Sequence, residues 1–315
     1  MDKTKSNHQN DTNERRVKKL KDEEDAKKPK KETKDMFKEV KDAPEVLPVQ
    51  DPDEEDTWGE DIHPHLPAVG GFGGGSLTLL IGAVKTGKST LLSNLFLNDN
   101  FYGQDLFDYV KIMSNTISND ITSRYMKEAY DVDDEYDDAI IHGILENQKK
   151  YEKSEQPKIA LICDDLLGSV PRSGLLWKLC SRYRHYNIRS LCISSQNYKM
   201  VNNIARQNCQ NLIITSPFPN YKEMLKIAEE FGDVVGGQKQ FLMIYKYATP
   251  NRYDFLHMDL QSNPVKCYAN FKTLIAEGQT LLFDAGGVDL SEFDESANSL
   301  KQKVKEGAEE SKEDI

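Results

Sequence analysis

Long hydrophobic runs are missing from this sequence of 315 residues. No stretch reaches about 18 consecutive apolar residues, the length that crosses a bilayer as a helix, so we predict no membrane span. No apolar segment follows the charged residues at positions 1–11, so we predict no secretory signal either. These two absences exclude the integral membrane and secreted classes of protein.

Cysteine is scarce, and its spacing excludes the common metal and disulfide frameworks. The chain has five cysteines, an odd number, and no C-x-x-C pair among them: Cys163, Cys180, Cys192, Cys209 and Cys267. We therefore predict reduced thiols in a cytosol-like compartment and no zinc site.

The net charge of −11 is unevenly distributed along the chain. Residues 51–61 hold seven acidic residues and no basic one, and residues 284–315 hold ten acidic and four basic residues. Residues 62–283 hold 23 of each sign, and within them 172–272 carry 14 basic against six acidic side chains. The acidity therefore lies outside the central region, whose second half is basic enough to contact nucleic acid.

This composition predicts one domain between two charged tails. Residues 1–56 mix lysine with acidic residues and have almost no aromatic side chain, so we predict a disordered charged tail. Residues 57–283 have the length of one large α/β domain. Residues 284–315 form a predicted acidic tail, in which Leu290, Phe293, Leu300 and Val304 are spaced for a short helix against the core.

Short apolar runs alternate with helical patterns through the predicted domain. The predicted strands are 77–81, 109–113, 158–163, 190–194 and 211–215, with a hairpin formed by 241–245 and 253–258. The predicted helices are 88–97, 119–130, 135–152, 174–185 and 220–231. This alternation predicts an α/β fold with a mainly parallel sheet and helices on both faces.

A phosphate-binding motif links the first predicted strand to the first predicted helix. Gly82-Ala83-Val84-Lys85-Thr86-Gly87-Lys88-Ser89 matches G-x-x-x-x-G-K-[ST], the Walker A pattern, and Thr90 follows it. The glycines allow backbone N–H groups to surround a polyphosphate at a helix N-terminus. The motif predicts that residues 82–90 bind ATP, that Lys88 contacts the β- and γ-phosphates, and that Ser89 ligates Mg²⁺.

Two further strand ends carry candidate catalytic side chains. The strand 158–163 leads into Asp164-Asp165, the Walker B arrangement, which predicts Asp164 as a ligand of Mg²⁺ through water and Asp165 as the residue that orients or deprotonates the attacking water. The strand 190–194 leads into Gln196, an amide placed to sense the γ-phosphate if its strand lies between the first and third.

The ordered set of motifs resembles the FtsK–HerA superfamily of P-loop ATPases, which implies a P-loop NTPase fold of the RecA/ASCE-like type. It is most similar to the poxvirus-type genome-packaging ATPases of large DNA viruses and virophages. The similarity spans about 62–260 and includes four supporting segments: His63-Pro-His-Leu-Pro67, Ser114-Asn-Thr116, Ile204-Ala-Arg206-Gln-Asn208 and Phe255-Leu-His-Met-Asp259. Asp165 departs from many HerA-like members, which have Glu there, and the Walker A loop has fewer glycines, so Lys85 is placed to touch phosphate directly.

The resemblance implies an ATP-hydrolysing double-stranded DNA translocase that packages a viral genome into a capsid. It also implies a homo-oligomeric ring, commonly a hexamer, in which an arginine reaches the nucleotide of a neighbouring subunit. Arg184 is the first candidate for this arginine finger, because it opens the segment Arg184-His185-Tyr-Asn-Ile188 just before the strand that leads into Gln196. Arg206 is the second candidate. Capsid proteins are the implied partners, and the host cytoplasm, in a viral factory, and the virion are the implied locations.

Two alternative functions use the same nucleotide motifs. A P-loop helicase or a conjugative-type DNA pump would require an additional DNA-binding domain, for which the central region leaves little room. A nucleotide-gated scaffold or a small-molecule kinase would act without DNA, and a kinase would need an acceptor pocket and a lid rich in arginine.

Overall fold

The computed structural model describes residues 58–294, except 60, 72–73, 118–119 and 167. The predicted tail 1–56 and residues 295–315 lie outside this described part. No helix within it is long and apolar enough to cross a membrane.

Ten strands and seven α-helices are found in the described residues. The strands are β1 (Ser76–Ile81), β2 (Tyr109–Ser114), β3 (Asp131–Asp133), β4 (Ile159–Asp164), β5 (Ile188–Ser195), β6 (Asn211–Thr215), β7 (Phe255–Asp259), β8 (Lys266–Ala269), β9 (Thr273–Glu277) and β10 (Thr280–Leu281). The helices are α1 (Lys88–Leu97), α2 (Arg124–Ala129), α3 (Asp138–Gln148), α4 (Leu175–Leu179), α5 (Asn203–Asn208), α6 (Tyr221–Phe231) and α7 (Gln238–Ala248).

All ten strands belong to one sheet in the order β10-β9-β8-β7-β6-β1-β5-β4-β2-β3. The six strands from β6 to β3 in this order are parallel. Beyond β6 the sheet continues through β7 to β10, and each of these strands pairs antiparallel with the one before it. The prediction of a mainly parallel α/β sheet of the P-loop NTPase type is therefore confirmed. β5 lies between β1 and β4, which is the position that the prediction for Gln196 requires.

Helices cover both faces of the sheet, as the nearly continuous apolar strands predict. Leu77, Leu79 and Ile81 of β1 pack into one hydrophobic cluster with α3, α4, α6 and α7. Leu80, which points to the opposite face, packs into a second cluster with α1 and α2. Successive side chains of a strand alternate between faces, so β1 anchors both layers and holds its carboxyl end rigidly.

The predicted hairpin between 241–245 and 253–258 is wrong in its first strand. Residues 238–248 form helix α7, and only 255–259 form a strand. The buried side chains of α7 are Phe241, Leu242, Ile244, Tyr245 and Ala248, whose spacing matches one face of a helix. The five-residue apolar run at 241–245 fits a buried strand equally well, and only the longer pattern through Ala248 separates the two.

Residues 284–294 follow the predicted end of the domain and still pack against its core. Phe293 is 2% exposed, and its ring meets the ring of Tyr221 edge-on at 5.2 Å. Lys246 pairs with Glu292 at 2.5 Å between their charged atoms. The division of the chain at 56 and 283 stays a prediction, and this segment shows that apolar residues past 283 contact the core.

The charge density of the acidic run at 131–138 predicts a solvated, repulsive loop. The structure shows more order there than this prediction. Lys111 of β2 is buried, and its Nζ lies 2.8 Å from Asp131 and 2.6 Å from Asp133, both on β3. Asp137 accepts a hydrogen bond from the backbone N–H of Ala139 and caps α3. A cation from the neighbouring strand and a helix N-terminus therefore offset much of the repulsion.

Candidate nucleotide-binding site

Three neighbouring parallel strands bring the motifs together at one edge of the sheet. Gly82 follows β1, Asp165 follows β4 and Gln196 follows β5, and the three strands are adjacent in the order β1-β5-β4. Ile81 is in register with Ser195, and Asp164 is in register with Ser194. The carboxyl ends of parallel strands meet at the edge where α/β proteins bind ligands.

The Walker A residues form a tight loop ahead of α1. Gly87 precedes the helix with φ 91°, and Lys85 has φ 62°, so the chain turns sharply enough for its N–H groups to face one point. Thr86 is buried, and its Oγ1 donates to the carbonyl of Ala83 at 2.8 Å and lies 2.6 Å from Oγ1 of Thr215 on β6. The loop is thus tied to the strand beside it before any ligand binds.

Gly82 is required by close packing at the entrance to the loop. A Cβ added to Gly82 would lie 1.8 Å from Thr215 Oγ1 and 2.8 Å from Thr86 Oγ1. Its N–H donates to the carbonyl of Ser195 at 3.1 Å. Because the first glycine touches both β6 and β5, any side chain there would displace the loop.

Lys88 is a buried cation at the centre of the site. It is 6% exposed, and its Nζ donates to the carbonyl of Ala83 at 3.3 Å. The same nitrogen lies 3.8 Å from Oδ2 of Asp165, at the long end of the ion-pair range. An ammonium group with such loose partners can turn toward a phosphate oxygen at little cost.

Asp164 fits a role as a metal ligand. Its carboxylate is 5% exposed, Oδ2 accepts from Ser114 Oγ at 3.4 Å, and Oδ1 has no hydrogen-bond partner among the described residues. Burial raises the pKa of this carboxyl, and the neighbouring Asp165 adds to the effect. A buried oxygen without a partner needs a cation or a water, and half-buried Ser89 in the first turn of α1 supplies a hydroxyl of the type that Mg²⁺ accepts.

Asp165 and Gln196 are joined by a hydrogen bond. The amide Nε2 of Gln196 donates to Oδ2 of Asp165 at 2.8 Å. Asp165 has φ 52°, a left-handed conformation that is uncommon outside glycine, and its N–H donates to the carbonyl of Ser194 at 3.1 Å. The strained backbone and the amide fix the carboxylate toward Lys88, where it could orient a water molecule.

These residues share a cavity of about 900 Å³. Its wall includes the Walker A residues Val84 to Thr90, together with Asp165 and Gln196. Residues outside the Walker A, Walker B and Gln196 motifs also line the cavity: Thr215, Arg252, Tyr253, Asp254, Phe255, Asn270 and Lys272. Phe255 belongs to a segment that supports the resemblance, but sequence reasoning placed none of these residues in the site. The nearest local signal was the predicted hairpin, whose turn covers Thr249-Pro-Asn-Arg252.

The two candidate finger arginines lie away from this cavity. Arg184 is exposed and precedes the amino end of β5, and the cavity lies beyond the other end of that strand, about 25 Å away at ordinary strand rise. Arg206 on α5 pairs with Glu230 at 2.8 Å and lies 5.1 Å from the ring of Tyr198. Neither arginine lines the cavity, so we expect a role for either one in hydrolysis to require a second subunit.

Comparison with solved structures finds similar folds among ATPases. The chain is similar to the genome packaging NTPase B204 from Sulfolobus turreted icosahedral virus 2 in complex with sulfate, with 17% identity and a TM-score of 0.45 over 62% of this chain and 96% of that one. The DNA-packaging ATPase B204 from Sulfolobus turreted icosahedral virus gives 18% identity and a TM-score of 0.46 over 62% and 98% of the two chains. EccC (ATPases 2 and 3) from Thermomonospora curvata gives 13% identity and a TM-score of 0.34 over 47% and 31%.

No family model and no curated protein matches the chain.

Proposed function

We propose that the protein is an ATP-hydrolysing motor that moves double-stranded DNA and packages a viral genome into a capsid. The observation that carries the ATPase part is that Lys88, at the start of α1, meets Asp164, Asp165 and Gln196 from adjacent strand ends beside one cavity of about 900 Å³. A cavity of this size suits a nucleotide.

Hydrolysis at this site would proceed by in-line attack of water on the γ-phosphorus. The bond to the bridging oxygen breaks as the water oxygen bonds to phosphorus, and ADP leaves with the electron pair. Asp165, held by Gln196, orients the water and accepts its proton, while Lys88 neutralises charge on the phosphate oxygens. Mg²⁺, held by Ser89 and by Asp164 through water, would supply further neutralisation.

A trans arginine would complete the charge compensation in a ring of subunits, for which a hexamer is the arrangement we propose. Arg184 suits this role better than Arg206, because it is exposed and its nearest aromatic contact is its own neighbour Tyr183 at 5.8 Å. Arg206 is already held by Glu230 at 2.8 Å. An arginine finger must project freely from its own subunit to reach a neighbouring phosphate.

DNA would contact loops that follow the catalytic strands. Lys199 and Met200 are exposed a few residues after Gln196, and a Cβ placed on Gly168 would lie 3.7 Å from Met200 Cε. The loop after β4 therefore lies against the loop after β5, and Arg172 in the former is also exposed. Exposed lysine and arginine would bind phosphates without reading sequence, which is what packaging requires. Capsid proteins and a location in the host cytoplasm and virion are part of the same proposal.

The test is the ATPase rate with and without double-stranded DNA, for the wild-type chain beside Lys88→Ala. We expect DNA to stimulate the wild type, and the variant to be inactive in both conditions because its phosphate contact is gone. Lys178→Ala is a matched control, since Lys178 is exposed on α4 and does not line the cavity. A wild-type rate that an assembled oligomer shows equally with and without DNA would overturn the motor, and a phosphorylated small-molecule acceptor would indicate a kinase.

A further inference from the structure

A short loop that follows the Walker A motif by more than 160 residues lies against it in the structure. The ring of Tyr253 lies over Gly87, so that a Cβ added there would be 3.2 Å from its Cδ1. Nη2 of Arg252 donates to the carbonyl of Lys85 at 3.3 Å, and its guanidinium lies 4.9 Å from the Tyr253 ring. We call residues 250–254 the cover loop; two of its side chains contact the phosphate-binding loop directly.

The cover loop is held in a strained conformation. Tyr253 has φ 74°, which is a rare value for a residue with a bulky side chain. Its N–H donates to the carbonyl of Ser216 at 3.1 Å, and the N–H of Ser216 donates to the carbonyl of Asp254 at 2.8 Å. The Asp254 carboxylate accepts from the N–H of Asn251 at 2.9 Å and from Asn270 at 2.8 Å. These bonds over-determine the backbone, as is typical where strain serves a site.

In this conformation an exposed aromatic side chain lines the cavity. Tyr253 is 58% exposed, although it lies beside the residues that would hold the phosphates. The negative face of an aromatic ring does not attract a polyphosphate, whereas a purine ring stacks on such a face favourably. The ring therefore suits the nucleoside end of a ligand whose phosphates occupy the Walker A loop.

Both asparagine side chains that line the cavity already make hydrogen bonds within the protein. Asn94 donates to the carbonyl of Thr90 at 2.9 Å and accepts from Asn98 at 3.2 Å. Asn270 accepts from the N–H of Phe255 at 2.8 Å while donating to the cover loop. Both are half-buried, and a base edge that took over these bonds would have to replace them, which favours recognition of the base by its face.

We propose that the cover loop binds the nucleoside of the substrate, with the base stacked on Tyr253 and the ring steadied by Arg252. Recognition by stacking accepts any purine, so adenine and guanine nucleotides bind with similar affinity. This inference rests on the proposed nucleotide site, but it concerns binding alone and is independent of DNA translocation.

Isothermal titration calorimetry of the full chain with ADP, GDP and inorganic tripolyphosphate, each with Mg²⁺, tests the proposal. We expect Tyr253→Ala to weaken ADP and GDP about tenfold each, the loss of one base stack, and to leave tripolyphosphate unchanged. Tyr253→Phe keeps the ring and binds like the wild type. Tyr151→Ala is the matched control, because Tyr151 is 42% exposed and does not line the cavity.

Three results would overturn the proposal while leaving the nucleotide site intact. The first is an unchanged ADP affinity in Tyr253→Ala. The second is an equal loss of affinity for tripolyphosphate in that variant, which would mean that the ring only shapes the Walker A loop. The third is a preference of the wild type for one purine by tenfold or more. Failure of the wild type to bind any of the three probes would overturn the nucleotide site itself and the inference with it. Thermal unfolding without ligand, compared between Tyr253→Ala and the wild type, separates lost stacking from lost folding.

Discussion

Replacement of Gly82 by alanine gives the sharpest test of the packing at the nucleotide site. The added Cβ would lie 1.8 Å from Thr215 Oγ1, whereas real Cβ atoms essentially never approach a heavy atom closer than 3.0 Å. Thr215 is 1% exposed on β6, so its oxygen must move by about 1.2 Å within a packed core. Overpacking of this kind costs about 2 kcal/mol of the free energy of unfolding.

The size of the clash predicts how a second substitution should act. Thr215→Ala alone removes the oxygen and its 2.6 Å contact with Thr86, at a cost of about 1 kcal/mol. Independent effects in Gly82→Ala/Thr215→Ala would sum to a loss of about 3 kcal/mol. We expect the double variant to lose less than this sum, by about 1 kcal/mol of coupling, because the nearest oxygen is gone. Thr86 Oγ1 at 2.8 Å and Thr215 Cβ at 3.1 Å still crowd the added Cβ, so part of the cost of Gly82→Ala remains.

Equilibrium unfolding in urea measures all three variants, with the free energy taken from linear extrapolation. Gly143→Ala is the matched control: Gly143 lies on the exposed face of α3, and a Cβ there meets nothing within 4 Å. This control should gain about 0.5–1 kcal/mol, because alanine is a better helix former than glycine. Wild-type stability in Gly82→Ala, or simple additivity in the double variant, would refute the packing that ties the Walker A loop to β6.

Three further predictions concern charged groups. Asp164→Asn should raise the free energy of unfolding at pH 7, because burial raises the pKa of that carboxyl and makes its charged form costly, yet weaken Mg²⁺–ADP binding more than about tenfold in calorimetry. Arg184→Ala should leave the free energy of unfolding within about 0.5 kcal/mol of wild type and lower the ATPase rate of the assembled oligomer about 1,000-fold. Arg206→Ala should lower the free energy of unfolding in urea by about 2 kcal/mol, because it removes the partner of Glu230. Lys111 holds the pKa of Asp131 below its ordinary value of 3.8, so the stabilisation is complete above that pH and is lost as the pH falls through the lowered pKa. Asp131→Asn should therefore be less stable than wild type at pH 6, and the gap should close in acid unfolding below pH 3.8; a gap independent of pH would contradict it.

Features set by neighbours in the chain could be predicted closely. Helix α1 spans Lys88–Leu97, which is the predicted range. Its start is marked by the preceding glycine and its length by an apolar pattern, and both signals depend only on residues that are close in the chain. The predicted strands at 77–81 and 211–215 differ from β1 and β6 by at most one residue. Buried parallel strands leave a continuous apolar signature, which explains this agreement.

Features that depend on longer patterns were harder to predict. The run 241–245 indicated a strand because five apolar residues suit either structure, and α7 forms because its apolar face meets the core beside β7 and α6. The predicted helix at 174–185 is shorter, with α4 ending at Leu179, and β8 to β10 were not predicted. Antiparallel strands at the end of a sheet obtain their stability from pairing, a partner that local propensity does not record.

The amino-acid sequence by itself determined the Walker A loop, the acidic pair at 164–165 and the strands that carry them. Those elements follow from local backbone geometry and from apolar runs that bury in only one way. Only the tertiary structure decided which side chains stand opposite them. Tyr253 is more than 160 residues from the Walker A motif in the chain, and it lies over Gly87 because β7 pairs with β6, next to β1. The pairing of strands that lie far apart in the chain depends on the packing of the whole sheet, so it cannot be predicted from the spacing of residues.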